Sequence, residues 1–391
     1  KTLNVPNLRF PEFEGEWVVS RLSEYLNENK ERNKKGLFNK TDVLSVSGDF
    51  GIVNQIDLLG RSFAGASVLP YHVVRLGNIV YTKSPLKEYP YGIVKTNTGK
   101  VGIVSTLYAV YSVNDNANNK FIEYYFSLAN RANRYFKPIV RIGAKHDMKI
   151  GNQEVLTNQV VFPTVKEQEK IADFLSLLDE RISTQNKIIE DLKKLKSAII
   201  EIEYSSRTKT SSHIGDFIVQ TSKRNKDNAI QTILSISNRQ GFIQQSEQFE
   251  NRSVASDDTS NYKIVERNSF AFNPARINVG SIARLATFDR GIVSPMYICF
   301  RTKDNLFPEY LDYYFESKQF FTEIQKRLEG SVRQCLSFEG LCNIPLSIPT
   351  IEVQQQTGKR LSTLAQEIKL EIDFLELLQK QKKFLLHQMF I

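Results

Sequence analysis

The chain has 391 residues, room for two or three ordinary domains, and at 41% apolar and 24% charged it has the composition of a folded globular protein, not of a disordered tail. Lysine and arginine outnumber aspartate and glutamate 52 to 43. The net charge of +9 suits either a polyanionic partner, most often nucleic acid, or a merely basic soluble protein. Three cysteines (Cys299, Cys335, Cys342), no C-x-x-C pair and four histidines argue against a disulfide framework and a structural zinc site, so a reducing cytoplasm is expected.

Taken in chain order, the opening Lys1-Thr2-Leu3-Asn4-Val5-Pro6 lacks the apolar run of a signal peptide, and no later segment approaches the roughly 20 apolar residues that span a bilayer. The β-branched or alternating runs Val43 to Val46 and Gly102 to Val113 predict strands. Asn119 to Phe136 predicts helix with an aromatic face. Pro163 marks a boundary, with Thr164 as a candidate N-cap. A long Gly/Pro-poor stretch follows, with apolar residues from Ile171, Phe174, Leu175 and Leu178 through Ile199 and Ile202 at spacings of three and four.

The pattern then starts again. Ile230 to Ile236 and Gly291 to Phe300 predict strands, Pro308 to Leu328 an aromatic helical segment, and Pro349 with Thr350 a second boundary. The second amphipathic stretch runs from Leu361 and Leu364 to Leu385 and Leu386, with Gly358 interrupting its start. The correspondence extends to the residues. Val43-Leu44-Ser45-Val46-Ser47 returns as Ile233-Leu234-Ser235-Ile236-Ser237, an offset of 190. Gly51 and Gln55 return as Gly241 and Gln245, and Tyr71 as Tyr262. Gly102-Ile103-Val104-Ser105 returns as Gly291-Ile292-Val293-Ser294, Glu123-Tyr124-Tyr125-Phe126 as Asp312-Tyr313-Tyr314-Phe315, and Pro163-Thr164 with Gln168 as Pro349-Thr350 with Gln354. Collinear matches of this kind mark an internal duplication. Between them the copies diverge, as where Tyr81-Thr82-Lys83-Ser84-Pro85 faces Phe272-Asn273-Pro274-Ala275-Arg276; a shared scaffold with different loops suits two modules reading different things.

Each long helix has an apolar stripe that must be buried. Two of them in equivalent places can bury against each other as an antiparallel coiled coil of about 35 to 40 residues, roughly 50 to 60 Å. The alternative is a pair of ordinary core helices. The expected fold is therefore mixed α/β (α+β): two pseudo-symmetric domains over 1–160 and 206–347, separated by helical regions over 161–205 and 348–391.

Catalytic signatures are missing. No G-x-G-x-x-G turn is present, Gly99-Lys100 continues into Val101 and makes no phosphate loop, and no H-E-x-x-H occurs. Asn273-Pro274-Ala275-Arg276 lacks the second proline and the aromatic of an amino-methyltransferase motif. His72 and His213 lie beside apolar positions and read as structural, His387 as solvated or packed on the last helix, and His146, between Lys145 and Asp147, as a possible contact. The aromatic triplets Tyr124-Tyr125-Phe126 and Tyr313-Tyr314-Phe315 read as core and not as base-stacking platforms.

A repeat of about 190 residues, each a variable mixed domain followed by a Pro-led helix with Gln, resembles the specificity subunit of type I restriction–modification systems. The opening Pro6-Asn7-Leu8-Arg9-Phe10-Pro11-Glu12-Phe13-Glu14-Gly15-Glu16-Trp17 is similar to the start of many such subunits. So are Pro163-Thr164-Val165-Lys166-Glu167-Gln168-Glu169-Lys170-Ile171 and the segment from Gly330-Ser331-Val332-Arg333-Gln334 to Pro349. The second helix start, Val353-Gln354-Gln355-Gln356-Thr357-Gly358, departs from the family pattern. The resemblance implies a non-catalytic chain with two target-recognition domains, each reading half of a bipartite, asymmetric double-stranded DNA site, and helices that set the unread gap. It implies docking of two modification subunits that bind S-adenosylmethionine and methylate adenine, and a restriction subunit that translocates with ATP and magnesium; no cofactor is expected in this chain. The rival from another class is a repeat adaptor that binds proteins and not DNA.

Base edges in the major groove are read by Arg or Lys at guanine and Asn or Gln at adenine, so reading residues belong in the divergent loops. The candidates are Lys83, Lys95, Lys145 and His146 in the first copy, and Arg239, Gln240, Asn273, Arg276, Arg333 and Gln334 in the second. Arg32-Asn33-Lys34 returns as Arg224-Asn225-Lys226, a basic turn suited to phosphate contact or simply a charged loop tip.

Overall fold

A computed structural model describes residues 4–142, 148–205, 211–238, 240–245, 258–330 and 334–391. Its contacts divide it into two units, Lys1–Thr184 with Leu375–Ile391, and Gln185–Phe374. The division cuts both long helices, so each unit holds a piece of each.

The first unit carries β1 (Val18–Arg21), β2 (Leu26–Glu28), β3 (Leu44–Ser47), β4 (Gly51–Asn54), α1 (Gln55–Leu59), β5 (His72–Val74), β6 (Ile79–Thr82), β7 (Val94–Thr96), β8 (Gly102–Val104), β9 (Tyr108–Val113), α2 (Asn119–Phe126), α3 (Ala129–Phe136), β10 (Arg141–Ile142), β11 (Met148–Lys149) and β12 (Gln159–Phe162). Then α4 (Val165–Tyr204) runs on into the second unit. There follow α5 (Ile214–Phe217), β13 (Ile218–Thr221), β14 (Leu234–Ser237), β15 (Gly241–Gln244), β16 (Lys263–Glu266), β17 (Phe270–Phe272), β18 (Ile282–Arg284), β19 (Arg290–Val293), β20 (Ile298–Thr302), α6 (Pro308–Tyr314), α7 (Lys318–Gln325), α8 (Phe338–Cys342) and α9 (Ile351–Gln388).

The duplication seen in the sequence is a duplication of topology. One unit has an antiparallel sheet in the order β2-β9-β6-β7, and the other has β13-β20-β17-β18. The hairpins β3-β4 and β14-β15 correspond, as do the pairs β5-β8 and β16-β19. One inner strand of each sheet, β6 or β17, here the central strand, is buried on both faces, and its alternate side chains enter different cores. Ile79 and Tyr81 join the main core of their unit with Phe121, Phe136 and Phe162, whereas Val80 joins a smaller one with Leu44, Val74 and Val110. In the second unit Phe270 and Phe272 do the first, and Ala271 the second with Leu234, Phe242 and Cys299.

The repeated glycine of the Gly-Ile-Val-Ser blocks has a steric reason. A Cβ on Gly102 would sit 2.6 Å from the carbonyl oxygen of Asp42, and one on Gly291 2.4 Å from Leu234 Cδ1, because Val43 bridges Ile103 and Ile233 bridges Ile292 alongside. Two long strand predictions split: Gly102–Val113 into β8 and β9, and Gly291–Phe300 into β19 and β20. The aromatic helical segments split too. Ser127 and Ser317 each turn a hydroxyl back to a carbonyl, that of Tyr124 or Tyr314, at 2.7 Å, and Ser317 then caps α7 at Phe320 N. The tyrosine and phenylalanine triplets are core in both units.

α4 has 40 residues and α9 has 38. In the first unit Ile171, Ala172 and Leu175 of α4 share a core with Leu385, Leu386, Met389 and Phe390 from the other end of the chain, and Asp179 pairs with Lys382. In the second, Gln185 Nε2 donates to Glu371 O at 3.0 Å and Arg360 pairs with Glu203 at 3.5 Å. Within each unit the two helices therefore run antiparallel. Gly358 does not break α9: a Cβ there would meet Glu309 Cβ and Phe307 Cε1 at 3.2 Å, so the glycine lets α9 pass close to the start of α6.

A glutamine fixes each helix start to its module. Gln168, 0% exposed, donates to the carbonyls of Pro163 (3.0 Å) and Asn116 (3.1 Å) and accepts Asn118 N–H (3.0 Å). Gln354, 1% exposed, donates to Pro349 (2.9 Å) and Asn305 (3.1 Å) and accepts Phe307 N–H (2.8 Å). The second copy, whose sequence departs from the family pattern, thus keeps the same three-bond clasp. The first adds a buried carboxylate: Glu167 takes a two-pronged ion pair from Arg9 (2.8 and 2.7 Å) and the indole N–H of Trp17 (3.1 Å), tying down the opening segment.

Candidate nucleic-acid interface

In each unit the loop that leaves the central strand meets a hairpin that follows the aromatic helices. In the first unit that hairpin is β10-β11, and its tip, with Lys145 and His146, lies outside the described residues. Lys83, at the end of β6, donates to Asn152 Oδ1 at 2.6 Å. Asn152 and Gln153 in turn donate to the two oxygens of Glu28 on β2, at 2.8 and 2.7 Å, and Tyr111 OH donates to Asn152 O at 2.8 Å. Burial foremost lowers the Lys83 ammonium pKa, with Arg32 adding to it and Glu28 opposing. Burial pushes the Glu28 carboxyl up, but the amides of Asn152 and Gln153, with Lys30 and His72, more than offset this and hold it below its ordinary value. Lys83 is thus half-buried in a network that fixes the chain just after the hairpin. Lys95, on β7, is ion-paired to Glu123 of α2 at 3.6 Å, and Glu123 also accepts Thr96 N–H at 3.1 Å. The structure does not leave Lys95 as a free cation.

In the second unit the loop after β17 folds on itself. Asn273 N–H donates to Ser281 O at 3.0 Å and its Oδ1 accepts Ala275 N–H at 3.1 Å. Arg276 is exposed at the start of a 3-10 turn, Ile277–Val279, with no acidic partner for its guanidinium among the described residues. Leu336 N–H donates to Pro274 O at 3.0 Å, and Glu329 and Cys335 exchange backbone bonds of 2.9 and 2.8 Å. Exposed Gln334 therefore lies beside the Asn273 loop, while Arg333 lies outside the described residues. The tip of β14-β15 adds exposed Asn238 and Gln240, Arg239 lying outside the described residues; the Cβ direction of Gly280 points at Asn238 Cβ, 4.0 Å off. A cleft of about 560 Å³ has Asn238, Gln240, Gly280 and Arg284 in its wall. The fold so gathers Gln240, Asn273, Arg276 and Gln334 onto three adjoining loops, a surface rich in the paired donors and acceptors that match base edges.

The sequence reading missed the equivalent tip in the first unit. Phe50, between β3 and β4, is 68% exposed where Gln240 stands in the other copy. The repeated Gly51 and Gly241 give the register that would have located it. Of the histidines expected to be structural, His72 is buried, whereas the side chain of His213 is exposed. His72 is buried on β5 with its pKa lowered to about 4, chiefly by burial and further by Arg32. His213 precedes α5, its backbone N–H donating to Asp216 at 2.7 Å, and His387 is exposed. Among the described residues no group of three or more His, Cys, Asp or Glu side chains could hold a metal ion, and no helix is long and apolar enough to cross a membrane.

Comparison with known proteins places this architecture. The family model described as the type I restriction modification DNA specificity domain matches residues 74–194 and 242–380, about two thirds of the chain and both copies of the repeat. The structure is similar to the crystal structure of the S subunit of a type I restriction-modification system from M. genitalium, with a TM-score of 0.61 at 14% identity over 99% of each chain. It is also similar to a chain from a structure described as the basis of complex assembly and conformational transition of the type I R-M system, with a TM-score of 0.50 at 14% identity over 96% of this chain and 97% of that one. At such identity these likenesses concern the fold, and the family match carries the assignment. The chain belongs to the type I restriction modification DNA specificity domain family.

Proposed function

We propose that this chain is the DNA-reading subunit of a type I restriction–modification assembly, acting in the cytoplasm. Each mixed domain, over 1–160 and 206–347, reads one half of a bipartite, asymmetric duplex site. The helical regions over 161–205 and 348–391 set the unread gap and dock two modification subunits. Those subunits supply the S-adenosylmethionine chemistry at adenine, and restriction subunits supply ATP-driven translocation and cleavage. The chain itself selects the site and performs no bond-making step.

One observation carries the reading: the same four-strand sheet order occurs twice, and the copies differ in the loops that leave the central strand. A scaffold repeated with different loops delivers two different recognition surfaces from one chain. Side chains such as Arg276, Asn273 and Gln334 are of the types that discriminate guanine and adenine, and each good pair contributes about 1–3 kcal/mol of discrimination.

The test is domain exchange followed by mapping of methylated adenines. Replacing 1–160 with the corresponding domain of another specificity subunit is expected to change one half-site and leave the other. Methylation unchanged at both half-sites refutes the reading. Inserting one helical turn between Ile182 and Ile199, with a matching turn in the partner helix, is expected to lengthen the gap. An unaltered gap refutes the ruler role. Duplex binding that ignores salt would favour the adaptor, since phosphate neutralisation releases counterions.

A further inference from the structure

Both units build the basic turn in the same way. In the first, buried Asn33 donates from Nδ2 to Phe38 O (2.8 Å) and accepts Phe38 N–H at Oδ1 (3.1 Å). In the second, buried Asn225 does the same to Ile230, at 2.9 and 3.1 Å. Their backbone N–H groups donate to Tyr71 O and Tyr262 O, both at 3.0 Å. Each turn closes with a 2.9 Å bond back to the asparagine carbonyl, from Gly36 (φ 64°) or Asn228 (φ 53°). The asparagine is therefore an internal clasp, and the cations beside it are held outward on a rigid two-cornered turn.

Their charges are not neutralised. Arg32 donates to the carbonyl of Pro70 at 3.2 Å, and Arg224 to the amide oxygen of Asn261 at 2.9 Å, both uncharged acceptors. Lys34, Lys35 and Lys226 are exposed. Among the described residues none of these five has an acidic partner within ion-pair distance. In the second unit the turn borders a cleft of about 720 Å³ where Lys223, Arg224, Lys226 and Arg290 outnumber Asp227 and Glu266.

We infer that each turn is a clamp for the DNA sugar–phosphate backbone, with Arg32 and Lys34 in one unit and Arg224 and Lys226 in the other as the contacting residues. This rests on the DNA-reading function proposed above and deepens it, separating residues that hold register from those that read bases. A preformed turn loses little order on binding, and unpaired cations on it exchange water and counterions for phosphate oxygens. The duplicate construction fits a task common to both modules, whereas base reading must differ between them.

The test uses the full chain and fluorescence anisotropy across a KCl series, with one duplex carrying the site mapped from adenine methylation and one scrambled duplex. Arg32→Gln with Lys34→Ala, and separately Arg224→Gln with Lys226→Ala, are each expected to flatten the slope of log K against log salt by about 1.8, from about 0.9 per lost phosphate contact. Affinity for the two duplexes should fall by the same factor. Lys34→Arg and Lys226→Arg should keep the wild-type slope. Wild-type binding that is steeply salt-dependent while the variants keep its slope overturns the clamp and leaves the DNA-reading function standing. Loss confined to the mapped site makes these residues base readers and also overturns it. Wild-type binding with no salt dependence overturns the function and the clamp together.

Discussion

Replacing Gln168 with leucine tests whether the clasp at the start of α4 contributes as its geometry requires. The side chain is 0% exposed and of similar volume to leucine, so the substitution removes hydrogen bonds with little change in packing. Three backbone groups lose their partner: the carbonyls of Pro163 and Asn116 and the N–H of Asn118. The bond to Pro163 is wholly buried, and its orphaned carbonyl costs about 2 kcal/mol; the other two are half-buried, can be rehydrated, and cost about 0.5–1 kcal/mol each, for a total of about 3–4 kcal/mol. For a unit of this size that is a fall in Tm of about 6–16 °C. The chain has one tryptophan, Trp17, in the same core and bonded to the adjacent Glu167, so urea unfolding followed by its fluorescence reports this unit. Gln354→Leu breaks the corresponding three bonds in the other unit, none of them wholly buried, and should cost less, about 1.5–3 kcal/mol, by far-UV circular dichroism. A loss below about 1 kcal/mol in both variants would mean that water satisfies the freed groups and that the clasp is incidental.

Glu167→Gln leaves Arg9 beside a neutral amide, although Arg9 keeps the carbonyls of Gly15 and Glu14. A destabilisation of about 2–3 kcal/mol is expected, below the usual range for breaking a buried pair, with a red shift of Trp17 emission; no change in either measurement counts against a docked opening segment. His72 gives a pH dependence. Its folded pKa of about 4 lies below the ordinary 6.5, so the neutral imidazole is favoured in the fold. Its contribution is intact above pH 6.5 and is lost as pH falls toward 4, about 2 kcal/mol between pH 7 and 5. His72→Leu should remove that part of the slope in urea midpoints measured against pH, and an unchanged slope refutes the assignment. Arg276→Ala should weaken binding to the mapped site by about 1–3 kcal/mol if it reads a guanine, and an equal loss on scrambled duplex reassigns it to phosphate.

The candidate site was partly legible. Divergent loops between matched strands pointed to Asn273, Arg276 and Gln334, and these lie on adjoining loops. Lys83 and Lys95 carry the right chemistry for base contact, but the fold engages both, one with Asn152 and the other with Glu123. Those partners stand 69 and 28 positions away, and no local pattern announces a pairing at such separations. The repeated glutamines and basic-turn asparagines were visible as matches, whereas their roles as clasps depend on carbonyls presented by other segments.

What the linear order of residues determined is the duplication, the alternating strands, the aromatic core helices and the two long amphipathic helices. Each of these is written in local spacing, which fixes which side of an element is apolar. What only the tertiary structure decided is where the charges go. Glu28 and Asn152 are brought together from 124 positions apart, and Arg9 and Glu167 from 158. A buried polar group must find a partner wherever the chain supplies one, so whether a cation ends as a clasp or stays free for phosphate follows from long-range packing and not from its neighbours in sequence.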